Sequence, residues 1–183
     1  AAPRLQGFAR APAVDRALGE AGLGRGDPDL IVLRGSGLAD EGAAEQALVT
    51  TLASERQGAP AAAVPCMPAT GHGEAASGLV SLAMAVQALR RRRLPAAPAL
   101  VGLSPELQRC AEEGVLVWPR ETQYWIRNRE AGPRRALVTA TGVEGTAVAV
   151  VLEEDPEREL EAAVSERPAG GLFVLSGADD AAL

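Results

Sequence analysis

The sequence predicts an α/β fold: a mixed sheet with a long, buried helix at its centre. Three observations lead there. Segments whose apolar residues recur at three- and four-residue spacing alternate with short, β-branched apolar runs. Glycine turns follow those runs. Hydrophobic residues make up 47% of the chain but aromatics only 3%, so the layers must pack through Ala, Gly, Leu and Val. At 183 residues the chain is long enough for one domain with a sizeable core and too short for two ordinary ones, which leaves one domain plus an appendage.

Taken in order, residues 11–21 read as a helix with Val14, Ala17, Leu18 and Ala21 on one face, closed by Gly22. Residues 30–33, LIVL, lie between Pro28 and Gly35 and read as a buried strand. The turn RGSGLADEGAAE, residues 34–45, follows and opens a helix carrying Ala47, Leu48, Thr51 and Leu52. A glycine turn after a strand is a site-building arrangement, because open α/β sheets hold ligands beyond the carboxyl ends of their strands. Residues 61–65 form a second strand, which delivers the chain to Gly71 and His72.

The segment GHGEAASGLVSLAMAVQALRRRRLP, residues 71–95, contains the only histidine and organises the rest. Its start is rich in small residues, which implies a crowded, buried helix N-terminus. Leu79, Leu82, Ala83, Val86 and Leu89 recur at helical spacing, so a long helix over residues 75–92 is expected to be the central buried one. Arg90 to Arg93 place positive charge in its last turn and Pro95 stops it. The connection that follows has little periodicity and carries Trp118, Tyr124 and Trp125, either a clamp over the core or an interface. Residues 136–141 and 147–153 read as two strands joined by a glycine turn. From Pro156 the chain turns polar, with a short helix expected at 157–164 and a strand after it.

Composition excludes several function classes. A net charge of −6 argues against a broad nucleic-acid surface. Every basic residue is arginine, so lysine chemistry is excluded within the chain. Cys66 and Cys110 have no metal-ligand spacing and read as reduced, buried thiols. No apolar run approaches the ~20 residues needed to cross a bilayer, and no signal sequence is evident, so a soluble cytoplasmic location and no membrane partner are expected.

Three motifs, in order, carry a resemblance. The run GHGEAASG opening a long helix closely resembles the GH-x-EAA-x-G segment of the β-ketoacyl synthases, members of the thiolase-like fold. The turn at residues 34–45 is similar to that family's HGTGT followed by GD-x-x-E: Gly35, Gly37 and Glu45 hold their places and Ser36 stands for threonine. The turn after residue 141 resembles a GFGGTN-type turn, with Gly142, Gly145 and Thr146 matching. The resemblance implies the C-terminal half of a thiolase-like (αβαβα) fold over residues 1–154, with residues 155–183 beginning a linker towards a following domain, an acyltransferase.

What it implies chemically is mixed. His72 stands at a family catalytic histidine, but Arg34 replaces the other one, and Met67 replaces a lysine. Gly42 stands for an aspartate, Val143 for a phenylalanine, Glu144 for a glycine, and Ala147 and Ala149 for an asparagine and a histidine. Glu74, Gly35, Gly37, Val143 and Gly145 are the implied pocket residues; no metal site is implied. Loss of the lysine leaves Glu74 to find Arg34 or water, and a Glu74–Arg34 pair is the expected way to neutralise the altered pocket. A ketosynthase needs a thiolate nucleophile and neutral imidazoles, and arginine stays protonated. The family's nucleophilic cysteine belongs to the N-terminal half, so Cys66 reads as a buried core residue.

Three readings are therefore open: a non-catalytic, chain-length-factor-like domain of a polyketide or fatty-acid synthase, part of an active condensing enzyme, or an unrelated α/β binding domain. For the first, the implied partners are the N-terminal half of the same domain, an active ketosynthase, and an acyl carrier protein bearing phosphopantetheine. No cofactor is expected in this domain itself.

Overall fold

The computed structural model describes residues 10–97, 104–142 and 146–155. Helix α1 (Arg10–Glu20) leads to β1 (Leu30–Leu33), α2 (Ala39–Ser54), β2 (Ala61–Pro65) and the single turn α3 (Met67–Thr70). A 3-10 turn at Glu74–Ala76 opens α4 (Ser77–Arg91), followed by β3 (Arg93–Leu94), α5 (Pro105–Glu112), β4 (Leu116–Val117) and β5 (Gln123–Tyr124). After a second 3-10 turn come β6 (Arg135–Thr141) and β7 (Ala147–Glu153).

Five strands form one mixed sheet in the order β4-β2-β1-β6-β7. All neighbours are parallel except the β6–β7 pair, which runs antiparallel over its full length. Every residue of β1 and β2 is buried, as strands covered on both faces must be. Alternate side chains separate the two layers. Ile31, Leu33, Ala61, Ala63 and Leu137 face α1, α2 and α5, whereas Leu30, Val32, Ala62, Val64 and Val138 face α4. The fold is thus helices, sheet, helix, with the parallel strands β1, β2 and β6 all ending at one edge.

The sequence placed α4 correctly along the chain and its buried face in part: Leu89 is in the core and Leu82 packs against it, whereas the rest of the face is turned. The sheet-facing side consists of Ser81, Ala85, Ala88 and Leu89. Of the stripe expected inside, Leu79 is 69% exposed, Ala83 is exposed, and Leu82 and Val86 are half-buried. Close approach explains the difference. A Cβ added at Gly78 would sit 3.1 Å from the Ala140 Cβ, so only small residues fit between α4 and β6. The crowding expected from residue 71 onward begins only there, since residues 71–76 are all exposed.

Residues 104–134 hold more regular structure than their periodicity implied. Helix α5 begins on Ser104, whose hydroxyl accepts from the Leu107 amide, and has Pro105 at its first position. Leu107 and Cys110, one turn apart, enter the core. The aromatic residues divide. Trp125 is buried in the α4 layer and Trp118 packs against the opposite one, so both are clamps, whereas Tyr124 is 70% exposed beneath the Arg93 guanidinium. Cys66 and Cys110 are buried free thiols in different layers. The expected helix at 157–164 and the strand after it lie outside the described residues. Among the described residues no helix is long and apolar enough to cross a membrane.

Two ionic staples fix the sheet. Asp29, at the start of β1, accepts from Arg56 at 2.7 Å and from the Arg135 amide at 2.9 Å, and also pairs with Arg127. Glu154, just past β7, bonds Arg92 at the end of α4 and Arg134 ahead of β6. Burial works to raise the Glu154 carboxyl, but the Arg134 and Arg92 guanidiniums outweigh it and hold the group below its ordinary value. A carboxylate depressed in the folded state contributes stability that is present above its unfolded pKa and lost as pH falls through the folded one. Glu154→Gln is therefore expected to lower stability at pH 7 by about 1–2 kcal/mol. In urea titrations the gap from the unaltered chain should close as the pH is taken below about 4.5.

Candidate functional site

The pocket follows from the topology. Strands β1, β2 and β6 run parallel, so Arg34, the residues from Cys66 to Glu74, and the stretch from Thr139 to Gly142 meet beyond their carboxyl ends. There they enclose about 730 Å3, with Arg34, His72, Ser77, Ser81, Thr139 and Thr141 among the walls. A side cavity of about 30 Å3 shares Arg34, Ser77 and Ser81 and adds Cys66 and Met67. Val148 of β7, 53% exposed, is the apolar side chain at the pocket's open side.

The turn after β1 is held by one carboxylate. Glu45 accepts from the Arg34 amide at 2.9 Å and the Gly35 amide at 3.0 Å, one on each oxygen. Burial holds the Glu45 carboxyl above its ordinary value, and the Arg10 guanidinium with the two amide bonds only partly offsets this. Arg10, itself buried, stands 3.7 Å from Glu45 and also donates to the Glu41 carbonyl and the Thr141 hydroxyl. Gly35 has φ +67°, and a Cβ there would lie 2.4 Å from the Pro65 Cβ, so glycine is required on both counts. Gly37 also has positive φ but meets no neighbour, so its requirement is conformational alone.

The Arg34 side chain turns into the pocket between two partners. Its Nη1 donates to Glu41 Oε1 at 3.2 Å, and its Nη2 lies 2.8 Å from His72 Nε2. The expected pairing of Arg34 with Glu74 is corrected: its carboxylate partner is Glu41, on the first turn of α2. Glu41 is buried beside the end of β1, whereas Glu74 is exposed on the pocket lip with φ +46°, where its amide nitrogen lies 2.9 Å from His72 Nδ1. Among the described residues, Arg34 Nε, Ser77 Oγ and Thr139 Oγ1 are buried without a hydrogen-bond partner, so the walls retain polar capacity.

The structure thus brings together Arg34, His72 and Glu74, places Met67 in the adjoining cavity, and puts Gly35 and Gly37 in the supporting turn. Val143 and Gly145 lie outside the described residues, although Gly142 and Thr146 on either side line the pocket. Sequence reasoning missed Arg10 and Glu41. The spacing of Glu41 and Glu45 was a usable signal, because acids four apart on a helix share a face and repel unless cations meet them. Among the described residues no group of three His, Cys, Asp or Glu side chains is arranged to hold a metal ion.

Comparison with known proteins agrees with this geometry. The family described as "Beta-ketoacyl synthase, C-terminal domain" matches residues 1–100. Pikromycin polyketide synthase component PikAIII of Streptomyces venezuelae is 35% identical over 161 residues, 86% of this chain and 10% of that one. Erythronolide synthase EryA2 of Saccharopolyspora erythraea is 35% identical over 171 residues, 92% of this chain and 4% of its own length. The chain therefore spans a tenth or less of these relatives. Among solved structures, the oxazolomycin ketosynthase domain OzmH KS7 of Streptomyces albus JA3453 superposes with TM-score 0.63 at 24% identity, over 76% of this chain and 25% of that one. A ketosynthase from module 6 of the bacillaene synthase of Bacillus subtilis 168 gives 0.62 at 21%, over 75% and 25%. The fold is thiolase-like.

Removing the Glu45 carboxylate should cost more than its bonds alone, because it strands the buried Arg10 charge. Glu45→Ala is expected to destabilise the chain by about 3 kcal/mol or more in chemical denaturation. Gly35→Ala should also destabilise it while leaving that ion pair intact. Loss of less than about 1 kcal/mol in both would show that the turn is not held as described.

Proposed function

The chain belongs to the β-ketoacyl synthase C-terminal domain family, and from that premise we propose that it is the C-terminal half of a ketosynthase-like domain in a multidomain polyketide synthase, one that keeps the pocket's shape but does not condense. One observation carries the reading. At the end of β1, where the family's motif has a histidine, stands Arg34, ion-paired to Glu41 and 2.8 Å from the ring of His72. A guanidinium only donates and stays charged, so it cannot take a proton from a substrate. Losing a single positioned donor in an oxyanion site typically costs ~10²–10³ in rate. The lysine position is also altered: Met67 brings an uncharged thioether to the side cavity.

In this reading the domain acts as a partner, similar to a chain-length factor. It completes its fold with an N-terminal half, packs against an active ketosynthase, and meets acyl carrier protein, whose phosphopantetheine carries the acyl group. Residues 1–154 form the ketosynthase-like part and residues 155–183 start the linker towards an acyltransferase. The exposed apolar side chain of Val148 at the pocket, and that of Leu79 elsewhere on α4, support the view that further protein covers the domain.

A second reading, part of an active β-ketoacyl synthase, is favoured by His72, which lines a pocket of about 730 Å3 at the family's place. The two are separated by supplying malonyl-loaded carrier protein to the polypeptide that carries the chain and to its His72→Ala form. Equal carbon dioxide release is expected. If the substitution abolishes release while folding and assembly persist, the domain is catalytic.

A further inference from the structure

We propose that Arg34 is a positioning residue for His72: anchored by Glu41, its guanidinium fixes the ring with the lone pair on Nε2 and takes up that lone pair, leaving no free imidazole base in the pocket. The inference deepens the non-condensing reading and rests on it for its functional meaning.

Two N–H donors face the two nitrogens of one ring. Arg34 Nη2 lies 2.8 Å from Nε2 and the Glu74 amide nitrogen 2.9 Å from Nδ1. Guanidinium and amide nitrogens only donate, and a neutral imidazole has a single lone-pair nitrogen. Both contacts therefore cannot be hydrogen bonds at once. A charge-assisted bond is about twice as strong as a neutral one, so the bond from Arg34 prevails and the ring proton sits on Nδ1.

That proton then faces the Glu74 N–H, and the conflict falls on the weaker side. Glu74 already holds φ +46°, a left-handed conformation that non-glycine residues rarely adopt. Arg34 is not free to swing aside. Its departure would strand the Glu41 carboxylate, which is buried and whose Oε2 has no partner among the described residues. Glu41 therefore acts on the ring through Arg34.

His72 is the only histidine, so any imidazole signal from the chain reports this ring alone. The test labels the chain with 15N and reads from the ring nitrogen shifts which one carries the proton. It also follows carbethoxylation by diethyl pyrocarbonate, which acylates a free ring lone pair, with the urea-unfolded chain as reference. In the unaltered chain the lone pair should be on Nε2. In Arg34→Met it should move to Nδ1, where the Glu74 amide takes it. Carbethoxylation should be slower in the folded, unaltered chain than in Arg34→Met by up to about tenfold, the factor expected when the bond holding the lone pair changes from a charged donor to a neutral amide.

Glu41→Gln keeps Arg34 but removes its anchor and should raise the rate part of the way, which keeps the test decisive if Arg34→Met does not fold. A lone pair on Nδ1 in the unaltered chain overturns the inference, as does a folded chain that reacts as fast as the unfolded one. If carbon dioxide release depends on His72 while the lone pair is found on Nε2, the non-condensing reading fails and this assignment stands.

Discussion

Two backbone amides at the end of β1 point at one buried carboxylate, and the pocket depends on that contact. Each bond from an amide to the ionised Glu45 contributes about 1.5–3 kcal/mol, while burying the charge costs several. The net stability gained is small; what the contact secures is position. It sets the direction in which Arg34 leaves the strand, and the tight turn through Gly35 over Pro65 follows from it. Arg10 makes the burial tolerable, and by also binding Thr141 it ties α1 to the end of β6. The helix, strand and turn that frame the pocket thus share one ionic centre.

Around that centre, the strand ends and turns frame an open pocket. The glycine turn, the histidine at the mouth of α4 and the parallel strand ends make a pocket with hydroxyl-bearing walls. The group projecting from β1 is a fixed cation already engaged by Glu41 and His72. A site of this kind holds and orients more readily than it moves protons. Helix α4 contributes to that frame: its small residues let it close on β6, while Leu79 near its start is exposed.

The strands were legible because their signals are local. A β-branched run between Pro28 and Gly35 has few alternatives, and residues 61–65 and 147–153 are strands as expected. Helix α4 was legible as a helix but only partly in its facing, because periodicity marks an apolar stripe without saying which neighbour covers it. Helix α5 was missed although Ser104, Pro105 and the Leu107–Cys110 pair spelled it, since its eight residues are too few for a strong period. Arg34 was legible as a substitution within a motif. Its partner was not, because Glu74 stood in the same motif as His72 whereas Glu41 becomes a neighbour only through the turn between β1 and α2.

The central claim is that the backbone of a condensing pocket survives while its reactive groups are gone, and restoring those groups tests it most directly. The measurement is carbon dioxide release from malonyl-loaded carrier protein by the polypeptide carrying Arg34→His, Gly42→Asp and Met67→Lys together. The account predicts a gain over the unaltered polypeptide of at least ~10², the worth of one positioned donor. A folded triple variant that releases no more than the unaltered polypeptide would contradict it.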